Sequence, residues 1–264
     1  MLFNSIDFAV FLPIVFFLYW FVTNRSLRAQ NFLIVAASFL FYGWWDYRFL
    51  SLLFVSSLVD YLVGLGLLKE SNSRRRLVLL WISIAVNLGL LGFFKYYNFF
   101  VDSFVAAFSF FGMEMSARTL NVVLPVGISF YSFQTLSYSI DVYRRKLVPT
   151  RDFIAFLAFV SFFPQLVAGP IERATNLLPQ FFEQRVFNYG NAIDGMRQIL
   201  WGLFKKIVIA DSCAEYANLI FNNSADYSGT TLVMGAFFFA IQIYGDFSGY
   251  SDIAIGVARY LGLN

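Results

Sequence analysis

The chain has 264 residues; 59% are hydrophobic, 21% aromatic (Phe 35, Tyr 15, Trp 5) and 13% charged. An ordinary soluble domain carries roughly a quarter charged residues, so this composition argues against a soluble globular enzyme and against a disordered chain. With no histidine, imidazole bases and His-ligated metals are excluded; the lone Cys213 excludes an internal disulfide; and a net charge of +3 in short clusters offers no nucleic-acid surface.

A helix needs about 20 mostly apolar residues to cross a bilayer. The runs 6–22, 31–45, 49–68, 77–94, 120–142, 153–169, 193–210 and 231–261 meet or approach that requirement, and 99–111, interrupted by Asp102, reads as an interfacial or re-entrant piece. The expected fold is therefore all-α, a polytopic integral membrane bundle of about seven or eight spanning or re-entrant helices forming one continuous domain. Arg25 and Arg28 follow the first run, Lys69 and Arg74 to Arg76 the third, and Arg144 to Lys146 the fifth. Alternate basic loops of this kind place the N-terminus outside and those loops in the cytoplasm. Pro164 and Pro170 in the sixth run, and Asp194, Arg197, Lys205 and Lys206 in the seventh, leave both free to dip in and return.

Aromatic clusters at 41–45 and 93–98 end apolar runs, as rings at headgroup depth do. Asp60 lies inside the third run, where an ionisable group needs a partner or a wet cavity; a structural carboxylate bonded to a neighbouring helix and a functional one fit equally well. Between 193 and 210, about 100° per residue puts Asp194, Gln198, Trp201 and Lys205 within about 40° of one another, with Lys206 about a quarter turn away. That stripe suits an aqueous funnel for an anionic substrate or an amphipathic helix on the cytoplasmic surface. In 241–256, Gly245, Gly249 and Gly256 share one helical face, while Asp246, Ser248, Tyr250, Ser251 and Asp252 crowd polar groups into two turns. Glycines at this spacing let a helix approach closely, but the polar groups favour a solvated pocket or tunnel wall over simple helix contact.

Five stretches carry a family resemblance: FFKYYNFF (93–100), LPVGISFY (124–131) followed by QTLSY (134–138) and DVYR (141–144), FPQLVAGPI (163–171), GLFKK (202–206) and YGDFSGYSD (244–252). In this order the sequence resembles the membrane-bound O-acyltransferase superfamily, and within it the bacterial membrane subunits of alginate O-acetylation. The resemblance implies a helical bundle with a tunnel. Tyr244, Asp246, Ser248, Tyr250, Asp252, Gln165, Lys205 and Lys206 are its candidate lining. It further implies transfer of an acetyl group from a cytoplasmic donor, acetyl-CoA, to hydroxyls of an alginate-like exopolysaccharide or a cell-wall glycan. A multi-pass place in a bacterial inner membrane, periplasmic acetyltransferase partner proteins and a polysaccharide acceptor follow from the same resemblance, with no bound cofactor or metal. The family's catalytic histidine sits in a box that would follow 244–252 and has no counterpart here. The chain therefore reads as the N-terminal part of a longer acyltransferase, inactive by itself. A transporter or flippase and a non-catalytic scaffold are the competing readings.

Overall fold

The structure, a computed structural model, describes residues 1–110, 124–166, 169–170 and 172–263. Among them every regular element is helical. Three helical runs are long and apolar enough to cross a membrane, Leu27–Lys69, Ser73–Ser109 and Gly229–Tyr260, and Ile6–Val22 is a shorter apolar helix.

Helix α1 (Ile6–Phe17) is capped by the Ser5 hydroxyl, which accepts from Phe8 N–H, and it continues as a π turn through Val22. The run Leu27–Lys69 is divided at Asp46, whose extended backbone (φ −159°, ψ 110°) separates α2 (Leu27–Asp46) from α3 (Leu50–Lys69). The Asp46 carboxylate accepts the Arg48 N–H, so the break is built into the sequence rather than imposed by packing. Each half has 20 residues, about 30 Å of helix and enough for one crossing.

The expected pause between 94 and 99 does not occur. Helix α4 (Ser73–Leu91) runs through a π turn at Gly92–Tyr96 into α5 (Tyr97–Phe110). Gly92 keeps right-handed helical angles (φ −61°, ψ −44°) and no proline intervenes, so nothing stops the helix there. Phe111 lies outside the described residues, as do 120–123 of the fifth run. Helix α6 (Ile128–Tyr143) starts after Gly127, whose φ of 77° is the left-handed turn that glycine adopts most readily.

Helix α7 (Phe153–Ser161) is the centre of the bundle. Residues 155–161 are all buried, with Phe162 and Phe163 beyond them, and α7 packs against α2, α3 and α6. At nine residues it is too short to span a bilayer, and it is followed by a single turn, α8 (Phe163–Leu166). This segment therefore enters and turns inside the protein, where irregular backbone is shielded from lipid. Phe163 meets the rings of Phe11 and Phe41 at 5.4 and 5.5 Å, which ties α8 to α1 and α2. Its entry is fixed by Asp152, whose Oδ1 accepts from Ile154 N–H (2.9 Å) and Ala155 N–H (3.1 Å). Asp152→Ala is expected to cost about 1 kcal/mol, and Asp152→Asn, an equally good cap, to restore most of it. Thermal unfolding in detergent is the check, and equal midpoints for all three chains would count against the cap.

A short helix α9 (Ala174–Leu177) leads to the last part, α10 (Tyr189–Leu203), a π segment (Phe204–Ala210), α11 (Asp211–Asn222) and α12 (Gly229–Tyr260). Trp20 Nε1 donates to Tyr260 O (3.1 Å) and Phe16 stacks on the Tyr260 ring at 4.1 Å, which fastens the end of α12 to α1.

Candidate functional site

Helices α10 and α11 run antiparallel to α12, and glycines set their separation. A β-carbon added to Gly195 would lie 2.6 Å from Gly256 O, and one added to Gly202 would lie 2.5 Å from Gly249 O. Further along, one on Gly245 would lie 2.9 Å from the Ala210 β-carbon and one on Gly235 2.8 Å from Ile220 Cγ2. The glycine face expected at Gly245, Gly249 and Gly256 is thus a close backbone seam. The π segment Phe204–Ala210 lies along this seam, where a β-carbon on Gly249 would also lie 3.2 Å from Lys206 N and one on Gly245 3.2 Å from Lys205 O.

Lys205 and Lys206 emerge from this π segment. Lys205 Nζ donates to Ser248 Oγ at 2.7 Å and to Asp252 Oδ2 at 2.5 Å, and it lies 5.6 Å from the centre of the Trp201 ring. Asp252 Oδ1 accepts from Gln198 Nε2 (3.2 Å), so both of its oxygens are engaged. Gln198 Oε1 is buried with no hydrogen-bond partner among the described residues. Lys206 Nζ sits 2.6 Å from Asp211 Oδ1 and 2.7 Å from Asp246 Oδ1. The Lys205–Asp252 pair is well shielded, its side chains 15% and 20% exposed, whereas Asp246 and Lys206 open onto a cavity of about 410 Å³ lined with Leu2, Asn4, Phe247 and Tyr250.

Of the candidate tunnel residues, the structure brings together Lys205, Lys206, Asp246, Ser248, Tyr250 and Asp252. Tyr244 is 69% exposed and stands outside the cluster. Gln165 accepts from Gln134 Nε2 (3.2 Å) and borders a separate cavity of about 70 Å³ with Pro170, Ala254 and Arg259. Within the stripe at 193–210, Gln198 and Lys205 reach into the cluster, but Asp194 pairs with Arg197 at an exposed position. Asp211 was not foreseen. Five residues from Lys206, it falls off the three- and four-residue spacing of an α-helical pair and is brought back by the wider π turn.

The cluster does not offer a free cation. Both lysines are neutralised by Asp252, Asp246 and Asp211, leaving one excess negative charge. It can hold and orient hydroxyl or amide groups beside a carboxylate and a phenol; an anion would first have to displace an ion pair.

Asp60 is a second buried centre of a different kind. Its Oδ1 accepts from Ser83 Oγ and from Ser139 Oγ (2.7 Å), and its Oδ2 from Asn87 Nδ2 (2.7 Å). Asn87 Oδ1 in turn accepts from Ser56 Oγ (2.7 Å) and Thr135 Oγ1 (3.1 Å). All six residues are fully buried, and α3, α4 and α6 each contribute two of them four positions apart. Asp60 thus answers to the structural description, a carboxylate bonded to neighbouring helices.

No family model matches the chain. Among curated proteins it is 39% identical over 257 residues to a probable alginate O-acetylase of Azotobacter vinelandii, covering 96% of this chain and 50% of the relative. It is 40% identical to the corresponding protein of Pseudomonas putida, covering 96% and 51%. A peptidoglycan O-acetyltransferase of Helicobacter pylori is 33% identical over 294 aligned positions, covering 100% of this chain and 54% of its own length. The chain is a relative of the membrane-bound O-acyltransferases. The resemblance carried by the five motif stretches is therefore borne out over nearly all of its residues. The chain spans about half the length of the acyltransferase relatives it matches. Val167, Ala168 and Ile171 of the 163–171 motif lie outside the described residues.

Proposed function

We propose that this chain forms part of a membrane O-acyltransferase that moves an acetyl group from a cytoplasmic donor, acetyl-CoA, to hydroxyls of an alginate-like exopolysaccharide or a cell-wall glycan. The observation that carries the reading is the identity of 39–40% over 96% of the chain to alginate O-acetylases, joined by 33% to a peptidoglycan O-acetyltransferase. In this reading the chain lies in a bacterial inner membrane with its N-terminus outside and crosses or enters the bilayer about seven or eight times. The geometry agrees with that arrangement, since the basic loops after α3 and after α6 touch through Arg76, which donates to Tyr143 O at 2.9 Å, and so lie at one end of the bundle. Periplasmic acetyltransferases and the polysaccharide acceptor are the partners that such transfer requires.

Within this scheme the α10–α12 cluster positions substrate. The acceptor hydroxyl needs a base with a pKa near 7 to take its proton as it attacks the acyl carbonyl. The chain holds no histidine, so that base lies outside these residues. The contribution assigned here is the cavity wall at Asp246, Lys206 and Tyr250, held in place by the shielded pair of Lys205 and Asp252.

The test uses Asp246→Asn and Asp252→Asn in a transfer-competent protein that carries this segment, with the 264-residue chain as an inactive control. Both variants are expected to keep near-normal membrane abundance and to lose at least about tenfold in acetyl transfer, about 1.4 kcal/mol in the barrier. Failure of both to accumulate, or accumulation with activity intact, would show the cluster to be structural only.

A further inference from the structure

The basic loops at 67–76 and 142–149 meet around a cavity of about 420 Å³, bordered by Lys69, Glu70, Arg76 and Arg145. Arg76 is buried, and its guanidinium donates to Leu67 O at the end of α3 and to Val142 O (3.4 Å) and Tyr143 O (2.9 Å) at the end of α6. It therefore covers helix carbonyls that would otherwise repel an anion, and it does so without giving up its charge to a carboxylate. Glu70 is already engaged. It accepts the Asn72 N–H at 3.0 Å and faces Arg75 at 3.5 Å, and these two contacts, the N–H first, hold its carboxyl below the usual carboxylate range. Among the described residues, none of Lys69, Arg76 and Arg145 forms an ion pair.

Arg145 supplies an independent sign that the site has a purpose. Its φ is 60°, the one positive value at a non-glycine position among the described residues. The turn there closes with Arg145 N–H to Val142 O (3.1 Å) and Lys146 N–H to Asp141 O (2.9 Å), the helix ending in which glycine is the usual residue. An arginine stands where its backbone is strained, and it borders the cavity.

We infer that this cavity binds a phosphate group, presented either by an anionic phospholipid headgroup or by a soluble phosphate ester. Lys69 and Arg145, neither in an ion pair, border the cavity with donors to offer, and the buried Arg76, its N–H groups committed to helix carbonyls, adds its positive charge at the ends of membrane helices, at the depth where such groups are found. The inference is independent of acyl transfer, because binding is measured without turnover.

The test compares the purified chain with its Lys69→Gln/Arg145→Gly double variant in neutral detergent. Glycine relieves the strain at 145, so the variant is expected to unfold at the same temperature or higher, and a loss of binding cannot then be blamed on misfolding. One arm titrates pyrophosphate by calorimetry against chloride of matched ionic strength. The other measures phosphatidylglycerol retained, by native mass spectrometry, after extraction from mixed phosphatidylglycerol and phosphatidylcholine vesicles. Affinity or retention is expected to fall at least about tenfold in the variant, as loss of charge-assisted contacts requires. Loss in the first arm identifies a soluble ester, and loss in the second alone a lipid headgroup. No binding by the unaltered chain in either arm, or equal binding by the variant, overturns the inference.

Discussion

Gly202→Leu is expected to prevent the chain from holding its fold. The first added carbon alone would sit 2.5 Å from Gly249 O and 2.7 Å from Ile253 Cγ1, and backbone cannot turn aside as a side chain can. Overpacking of a core costs about 1–3 kcal/mol when neighbours can shift, so a clash with a main-chain carbonyl belongs at or above the top of that range, about 3 kcal/mol or more. Gly235→Leu should be milder, because its nearest contact is the Ile220 side chain. Gly89→Leu should be nearly neutral, since nothing lies within 4 Å of the new carbon. The thermal midpoints in detergent should rank in that order. If the Gly202 variant unfolds with the Gly89 variant, α10 and α12 do not meet as described.

Asp60→Ala is expected to be comparably damaging for the opposite reason, a lost acceptor rather than an added atom. The Ser83 and Ser139 hydroxyls would be left with no acceptor in a region sealed from water, and the Asn87 amide would keep only its bond to Ser83 O (3.0 Å). At about 1–3 kcal/mol for each unsatisfied buried group, the cost is about 3 kcal/mol or more. Asp60→Asn keeps one oxygen for the serines but turns an amide N–H toward that of Asn87. Adding Asn87→Asp exchanges donor for acceptor and should recover part of the loss, an interaction that a double-mutant cycle reads directly. An Asp60→Ala chain with an unchanged midpoint would show that the network contributes nothing.

Most of the architecture is legible in the order of apolar runs, because the bilayer sets helix length. The runs 31–45 and 49–68 correspond to α2 and α3, and Asp46 between them carries its own stop signal. Length arithmetic fails at α7, where apolar residues signal burial in protein rather than contact with lipid; residues 155–161 look the same under either meaning. The π segments were not legible either. Phe204–Ala210 packs along α12 and reads in sequence as ordinary helix. That is why the Lys205–Asp252 and Lys206–Asp246 pairs were not foreseen although their residues were singled out. The Asp60 network had a readable signal, polar pairs four apart at Ser83 and Asn87 and at Thr135 and Ser139, each on one face of a mostly apolar helix. Asp60 drew notice because a carboxylate in an apolar run is conspicuous, whereas serine and threonine hydroxyls are common there.

The seam between α10 and α12 is made of main chain at Gly195, Gly202, Gly249 and Gly256. Main chain has no rotamers, so this joint cannot be retuned by small changes in side-chain size; it is either closed or broken. Residues on the outward faces, such as Leu200, Phe237 and Ile243, play no part in closing it and are free to change with the surroundings. Substitutions along these helices should therefore sort by face, with the glycine edge intolerant and the outer edge permissive. The hairpin can thus meet different lipids or neighbouring proteins without moving the lysines and aspartates that it holds in register.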